Sequence, residues 1–157
     1  MARVVIADAG PLIAFAGIDQ LTVSHRLFAE ISIVRAVKDE CLAKPGKDSE
    51  RINAAIADGW LIVHILSKDS LPLSPSLGLG ESESIQLAME QADQSLLILD
   101  DRLARRFARK QNLSIIGTVR LLDLAEQHGL IESAEHSIQQ LRQIGYRISI
   151  ELLQMIR

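Results

Sequence analysis

A single cysteine, Cys41, in 157 residues rules out an internal disulfide and agrees with a reducing cytoplasm. Only four prolines occur, and hydrophobic residues make up 48% of the chain; such a sequence buries a core and does not stay disordered. Aromatic residues are scarce, with three Phe, one Tyr and one Trp, so an extended stacking platform for nucleic-acid bases has few candidates. No apolar run approaches the ~18 residues of a membrane span. The opening Met1-Ala2-Arg3-Val4-Val5-Ile6-Ala7-Asp8 reaches an acid too early to read as a signal peptide. Charge of one sign is lacking too. The net value is −3, so no whole-molecule field draws in a polyanion, and such a partner would have to be held by a local basic patch or by metal. There is no repeat, linker or low-complexity segment. The length predicts a single domain over residues 1–157 that buries roughly 70% of its unfolded surface.

Short apolar runs alternate with helical patterns. Strands are expected at Arg3–Asp8, Ile31–Val34, Trp60–Leu66, Ser95–Leu99 and Leu113–Ile116. A helix opens at Ala9-Gly10-Pro11, where proline suits a first turn, and Leu21, Leu27 and Phe28 mark a second. Further helices are expected over Arg35–Lys44, ended by Pro45-Gly46, and over Asp48–Asp58, capped by Asp48 or Ser49 and ended by Gly59. Others follow over Gly80–Asp93, Asp101–Gln111, Val119–His128, Ala134–Ile144 and Ile150–Ile156, with Ser149 as a cap and Thr118 as a cap that, with Gly117 at a strand end, could also border a site. The longest loop is Ser67–Leu79. The alternation predicts an α/β fold, a three-layer α/β/α arrangement around a central, mostly parallel sheet of about five strands.

The chain is organised around Leu96-Leu97-Ile98-Leu99-Asp100-Asp101-Arg102, a buried strand that ends on two carboxylates. Arg3 to Asp8 repeats that grammar, and ligands of open α/β sheets bind at the carboxyl ends of strands. Glu40 has Ala36, Val37 and Cys41 as helical neighbours, which puts it on or beside an apolar face. Glu81 aligns with Ile85, Ala88 and Ala92, while Glu83 points to solvent. Each acid has a plain alternative: N-caps for Asp8 and Asp100, an arginine-paired core-edge residue for Glu40, and a macrodipole partner for Glu81. Four acids converging on one sheet edge would be costly, however. At ~4 Å and an effective dielectric near 20, each like-charge pair costs about 4 kcal/mol. Bound cations would offset that cost, and oxygen donors without a His or Cys cluster select Mg2+ or Mn2+ over zinc.

Arg102, Arg105, Arg106 and Arg109 follow i, i+3, i+4, i+7 spacing and form one basic stripe, with Leu103, Ala104, Phe107 and Ala108 on the other side of the helix. Such a stripe suits a phosphodiester backbone, or else a solvated face or an acidic partner. Gly78-Leu79-Gly80 lacks the third glycine and the acidic partner of a dinucleotide fingerprint. No Gly-x-Ser-x-Gly elbow occurs, and His25, His64, His128 and His136 read as surface or packing residues. Cys41 reads as a small buried hydrophobe. A phospho-acceptor domain would need its acidic pair near the N-terminus and an acceptor Asp far downstream, whereas the one later Asp, Asp123, falls within a helix.

Asp8-Ala9-Gly10-Pro11-Leu12-Ile13, Glu40, Gly80-Glu81-Ser82-Glu83 and Leu99-Asp100-Asp101-Arg102-Leu103-Ala104-Arg105, in this order, resemble a PIN domain. More narrowly they are similar to prokaryotic PIN-like proteins related to VapC-like toxins, as are Gly117-Thr118 and the Gly145-Tyr146-Arg147-Ile148-Ser149 ending. The resemblance implies a parallel sheet flanked by helices, an acidic cluster binding Mg2+ or Mn2+, RNA cleavage, and in toxin–antitoxin pairs a small antitoxin that blocks it. By match, Asp8, Glu40, Glu81 and Asp100 are the catalytic and metal-binding acids, with Asp101 as neighbour or substitute. Ala9 stands where many PIN domains have Ser or Thr, and Glu81 where Asp is frequent.

The expected function is therefore a metal-dependent endoribonuclease, the toxin of a toxin–antitoxin pair, with Arg102, Arg105, Arg106 and Arg109 on the RNA backbone. The alternative is a catalytically weak or inactive PIN-fold module that binds nucleic acid or protein. The resemblance also implies a homodimer, and the apolar Ile150, Leu152, Leu153 and Ile156 are compatible with a dimer face or with core.

Overall fold

The computed structural model describes residues 3–66, 73–91 and 94–148. Its first half runs β1 (Val4–Ala7), α1 (Ala9–Gly17), α2 (Leu21–Phe28), β2 (Ile31–Val34), α3 (Arg35–Leu42), α4 (Lys47–Ala57) and β3 (Leu61–His64). The second half runs α5 (Leu79–Gln91), β4 (Ser95–Ile98), α6 (Arg102–Lys110), β5 (Ser114–Ile116), α7 (Thr118–Gln127) and α8 (Ala134–Gln143). The strands are shorter than their apolar runs: the paired register ends at Ala7 and Ile98, one residue before the last bonds from the Asp8 and Leu99 N–H groups. The helix end expected at Asp93, Ala92 on its inward face, residues 67–72 of the long loop, the Ser149 cap and the helix expected over 150–156 lie outside the described residues.

The five strands form one sheet in the order β3-β2-β1-β4-β5, and every pairing is parallel. The sheet is thus wholly, not mostly, parallel. Its three central strands are buried on both faces, as their predominantly apolar character requires: Ile6 and Ala7 in β1, Ile31 and Ile33 in β2 and Leu97 in β4 have no exposed surface, whereas the edge strands β3 and β5 are only partly covered. Helices α1, α3, α4 and α5 pack mainly among themselves, as do α2, α7 and α8, giving the three-layer α/β/α arrangement.

The topology positions the site. The chain steps from β1 outward through β2 to β3, then returns to lay β4 on the other side of β1. Between β1 and β4 the direction of winding reverses, which leaves a crevice beyond their carboxyl ends. Ala7 pairs with Ile98, and the Asp8 N–H donates to the Ile98 carbonyl at 3.0 Å. Asp8 and, two residues past Ile98, Asp100 therefore leave the sheet at that crevice.

Three caps differ from expectation. Gly46 takes the N-cap position of α4, and Ser49 reaches back to it: its Oγ accepts from the Gly46 N–H at 3.1 Å and donates to the Gly46 carbonyl at 3.0 Å. Gly117 is the N-cap of α7, so Thr118 is that helix's first residue. At the start of α6 the cap is Asp101, whose Oδ2 accepts from the Ala104 N–H at 2.9 Å. Ser133 caps α8 through the His136 N–H.

Candidate functional site

Asp8 is the buried member of the acidic set. It occupies the N-cap position of α1 yet makes no side-chain capping bond, so capping does not account for it. Its carboxyl is pushed up from 3.8 to about 7, chiefly by burial; the Ala9 backbone N–H opposes the rise, and the charges of Glu81, Glu40 and Asp100 reinforce it. The acids from four separate segments thus act on one another.

Gly80 shows how closely two of them approach. A Cβ there would stand 3.3 Å from Glu40 Oε1, 3.3 Å from a Val37 methyl and 3.7 Å from Asp8 Oδ1. Glycine lets the first turn of α5 pass directly beneath both carboxylates. Glu40 itself is exposed, contrary to the apolar-face expectation. It lies at the edge of the stripe formed by the buried Val37 and Cys41, and its length lets the head group turn back over Gly80. Cys41, buried next to it, has its thiol pushed up to about 12 by burial and by the charges of Glu40 and Asp8.

Glu81 is half-buried, and Glu83, expected in solvent, is half-buried too. Glu81 Oε1 accepts from the Gly78 N–H at 3.0 Å, so Gly78 faces a carboxylate of its own chain and forms no cradle for an anion. Burial raises the Glu81 carboxyl above its ordinary value, the Gly78 bond lowers it, and Asp101 and Glu40 raise it further. Asp101 is exposed, caps α6 with one oxygen and acts on Glu81 by charge and by side-chain hydrogen bonding.

Asp100 is half-buried and held from two sides. Its Oδ1 accepts from the Thr118 N–H at 2.7 Å, and its Oδ2 accepts from both the Thr118 hydroxyl and the Tyr146 phenol. Thr118, expected as a cap or as a residue bordering the site, supplies a hydroxyl to it, while Ala9 supplies none. Tyr146 was not among the expected site residues. It is the chain's one tyrosine, placed by a turn in which Gly145 adopts φ +91, a conformation that favours glycine. Burial, the Asp100 charge and their hydrogen bond hold its phenol well above the ordinary range. A Cβ on Gly117 would stand 2.7 Å from Arg105 Nη1 and 2.9 Å from Asp100 Oδ1.

The arginine stripe divides. Arg102, Arg106 and Arg109 are exposed, whereas Arg105 is half-buried and leans toward Gly117 beside Asp100. Leu103, placed by its spacing on the inward side, is 49% exposed, so that α6 packs through Ala104 and Ala108. The histidines have local roles. His25 stacks on Trp60 with ring centroids 4.7 Å apart, and His64 Nε2 lies 3.0 Å from Ser32 Oγ.

Among the described residues, no three His, Cys, Asp or Glu side chains are gathered closely enough to hold a metal ion as they stand. The carboxylates share an electrostatic field without forming a closed ligand set. Their chemistry nevertheless fits a hard divalent cation: all donors are oxygens, and the carboxyl at their centre is pushed up to about 7 by burial and its acidic neighbours. Glu81 and Asp101 are joined to each other by charge and a side-chain hydrogen bond, while Thr118 and Tyr146 hold Asp100.

No helix among the described residues is long and apolar enough to cross a membrane. A family model described as a PIN domain matches residues 4–157. No curated protein and no solved structure matches the chain significantly. PIN domains have a nuclease-type fold, are in general hydrolases and typically use divalent metals. With the parallel sheet, the acids at its β1–β4 crevice and a match over nearly its whole length, the chain belongs to the PIN-domain family.

Proposed function

We propose that the protein is a cytoplasmic, Mg2+- or Mn2+-dependent endoribonuclease that hydrolyses RNA phosphodiesters, the toxin partner of a small antitoxin, acting as a homodimer. The observation that carries the reading is the meeting of Asp8 and Glu40 over Gly80, with Glu81 and Asp100 near enough for their charges to act on Asp8. Asp8, Asp100 and Glu40 or Glu81 would hold the cation. When bound, the cation supplies Lewis acidity toward a phosphodiester oxygen and lowers the pKa of a coordinated water. The protein's own groups position and shield. Thr118 fixes the Asp100 carboxylate through backbone and hydroxyl, and Asp8 presents its carboxyl from a buried position. Arg102, Arg106 and Arg109, exposed on the helix that follows Asp100 and Asp101, would neutralise phosphates of a backbone bound at the crevice.

The engagement of both Asp100 oxygens by Thr118 and Tyr146 favours a second reading, a weak or inactive module that binds RNA or protein without cleaving it. Asp8→Asn with Asp100→Asn separates the two. Incubated with single-stranded RNA and Mn2+, the wild type should yield fragments and the double variant none. If the wild type binds RNA without cutting it and the double variant binds as well or better, the module reading holds and the nuclease reading fails.

A further inference from the structure

We propose that the Tyr146 phenol and a divalent cation compete for the same oxygen of Asp100, so that Tyr146 sets the cation affinity of the site. The inference rests on the metal-site reading above. The two Asp100 oxygens face different ways. Oδ1 lies toward Gly117, Arg105 and the Thr118 N–H. Oδ2 lies toward Tyr146, whose hydroxyl is 3.9 Å from the Cβ position of Gly10, in the first turn of α1 just past Asp8. The Tyr146 hydroxyl on Oδ2 thus sits beside the start of α1 and feels the Asp8 charge, and Oδ2 is the oxygen through which a cation shared by Asp8 and Asp100 would bind.

A carboxylate oxygen offers two lone pairs. Those of Oδ2 are taken by the hydroxyls of Thr118 and Tyr146. Thr118 is buried, starts α7 and holds Asp100 through its backbone as well, so it is the fixed donor. Tyr146 follows the helix-ending turn at Gly145, is half-buried and reaches the carboxylate by its phenol alone. Tyr146 is the donor that yields. The phenol also screens charge that would otherwise attract the cation, an effect of the same sign. Reciprocity follows: whatever Tyr146 subtracts from cation binding, the cation subtracts from the hold of Asp100 on residues 145–148.

The test is Mn2+ titration calorimetry on the wild type and Tyr146→Phe, with near-ultraviolet difference absorbance of the wild type titrated with Mg2+. The phenylalanine ring keeps the packing and removes the donor. Loss of one hydrogen bond to a charged acceptor should tighten Mn2+ binding by roughly ten- to a hundredfold. The single tyrosine should also change its absorbance as the wild type saturates, because its phenol exchanges a carboxylate for water. Unchanged or weaker binding by Tyr146→Phe, or a tyrosine band that stays constant through saturation, overturns the competition while leaving the metal site intact. Absence of cation binding by either protein overturns the metal-site reading and this inference with it. Chelator-treated melts of both proteins show whether the variant folds, and if it does not, the wild-type absorbance titration decides alone.

Discussion

Replacing Asp8 with Asn should stabilise the metal-free protein, and by an amount that depends on pH. The Asp8 carboxyl titrates at about 7 in the folded chain against an ordinary value of 3.8, so the fold holds the proton more tightly than the unfolded chain does. The stability linked to that proton is fully present below pH 3.8 and is lost as pH rises through about 7. At 1.36 kcal/mol per pH unit, the interval from 3.8 to about 7 corresponds to about 4 kcal/mol by pH 8. Asn is nearly isosteric and carries no charge, so it should keep what the wild type loses. For a chain of this size, at roughly 2–4 °C per kcal/mol, the variant should melt about 10 °C above the wild type at pH 8 in chelator. The two should converge near pH 4. Mn2+ at a hundred times its dissociation constant should then raise the wild type by about 2.7 kcal/mol and leave the variant unmoved. Equal melting temperatures at pH 8, or a gap that does not vary with pH, would refute the argument that Asp8 is ionised against its neighbours.

Three other perturbations separate the parts of the site. Asp101→Ala removes the α6 cap to the Ala104 N–H and should cost about 1 kcal/mol in chemical denaturation. Gly117→Ala would set a methyl 2.7 Å from Arg105 Nη1 and 2.9 Å from Asp100 Oδ1. Arginine can swing away but Asp100 is tied to Thr118, so the variant should lose roughly 1–3 kcal/mol of stability and most of its Mn2+ affinity in calorimetry. Arg102→Ala, Arg106→Ala and Arg109→Ala combined should flatten the dependence of log K on log salt for single-stranded RNA by about 2, while Mn2+ affinity stays as in the wild type.

What could be read from the sequence is what depends on local pattern. Ile31–Val34 is a strand of the expected length because three apolar residues and a single serine end at a helix that starts on the next residue. Asp8 and Asp100 stand out for the same reason: an acid directly after a buried strand has only the sheet edge to occupy. Glu40 shows where the pattern ends. Helical spacing fixes the direction of its Cβ, and that direction is near the apolar face. A glutamate has enough length to expose its stem and still bring Oε1 to Gly80, so spacing cannot tell a buried acid from one that bends back over a rim. Leu103 fails conversely. Its spacing points inward, but the small Ala104 and Ala108 bring α6 down along their own line.

Tyr146 lies beyond such reasoning for a deeper cause. It is separated from Asp100 by three helices, α6, α7 and α8, and a strand, β5, and nothing in its own neighbourhood carries a charge pattern that points back to the acids. Its local signs are that it is the single tyrosine, follows a helix-ending glycine and lies in the Gly145–Ser149 ending that resembles the family, and none of them assigns it to the acids. The contact arises because α7 begins at the same sheet edge where Asp100 ends, and α8 packs against α7, delivering the residue after its own end to the crevice. A parallel sheet gathers the ends of its strands at one edge, and so concentrates acids there. Each helix leaving that edge starts beside them, and it is those starts that supply the glycines at 80 and 117 and the hydroxyl of Thr118. The acids are legible one by one along the chain, whereas the groups that hold them are set by which helix begins next to which strand.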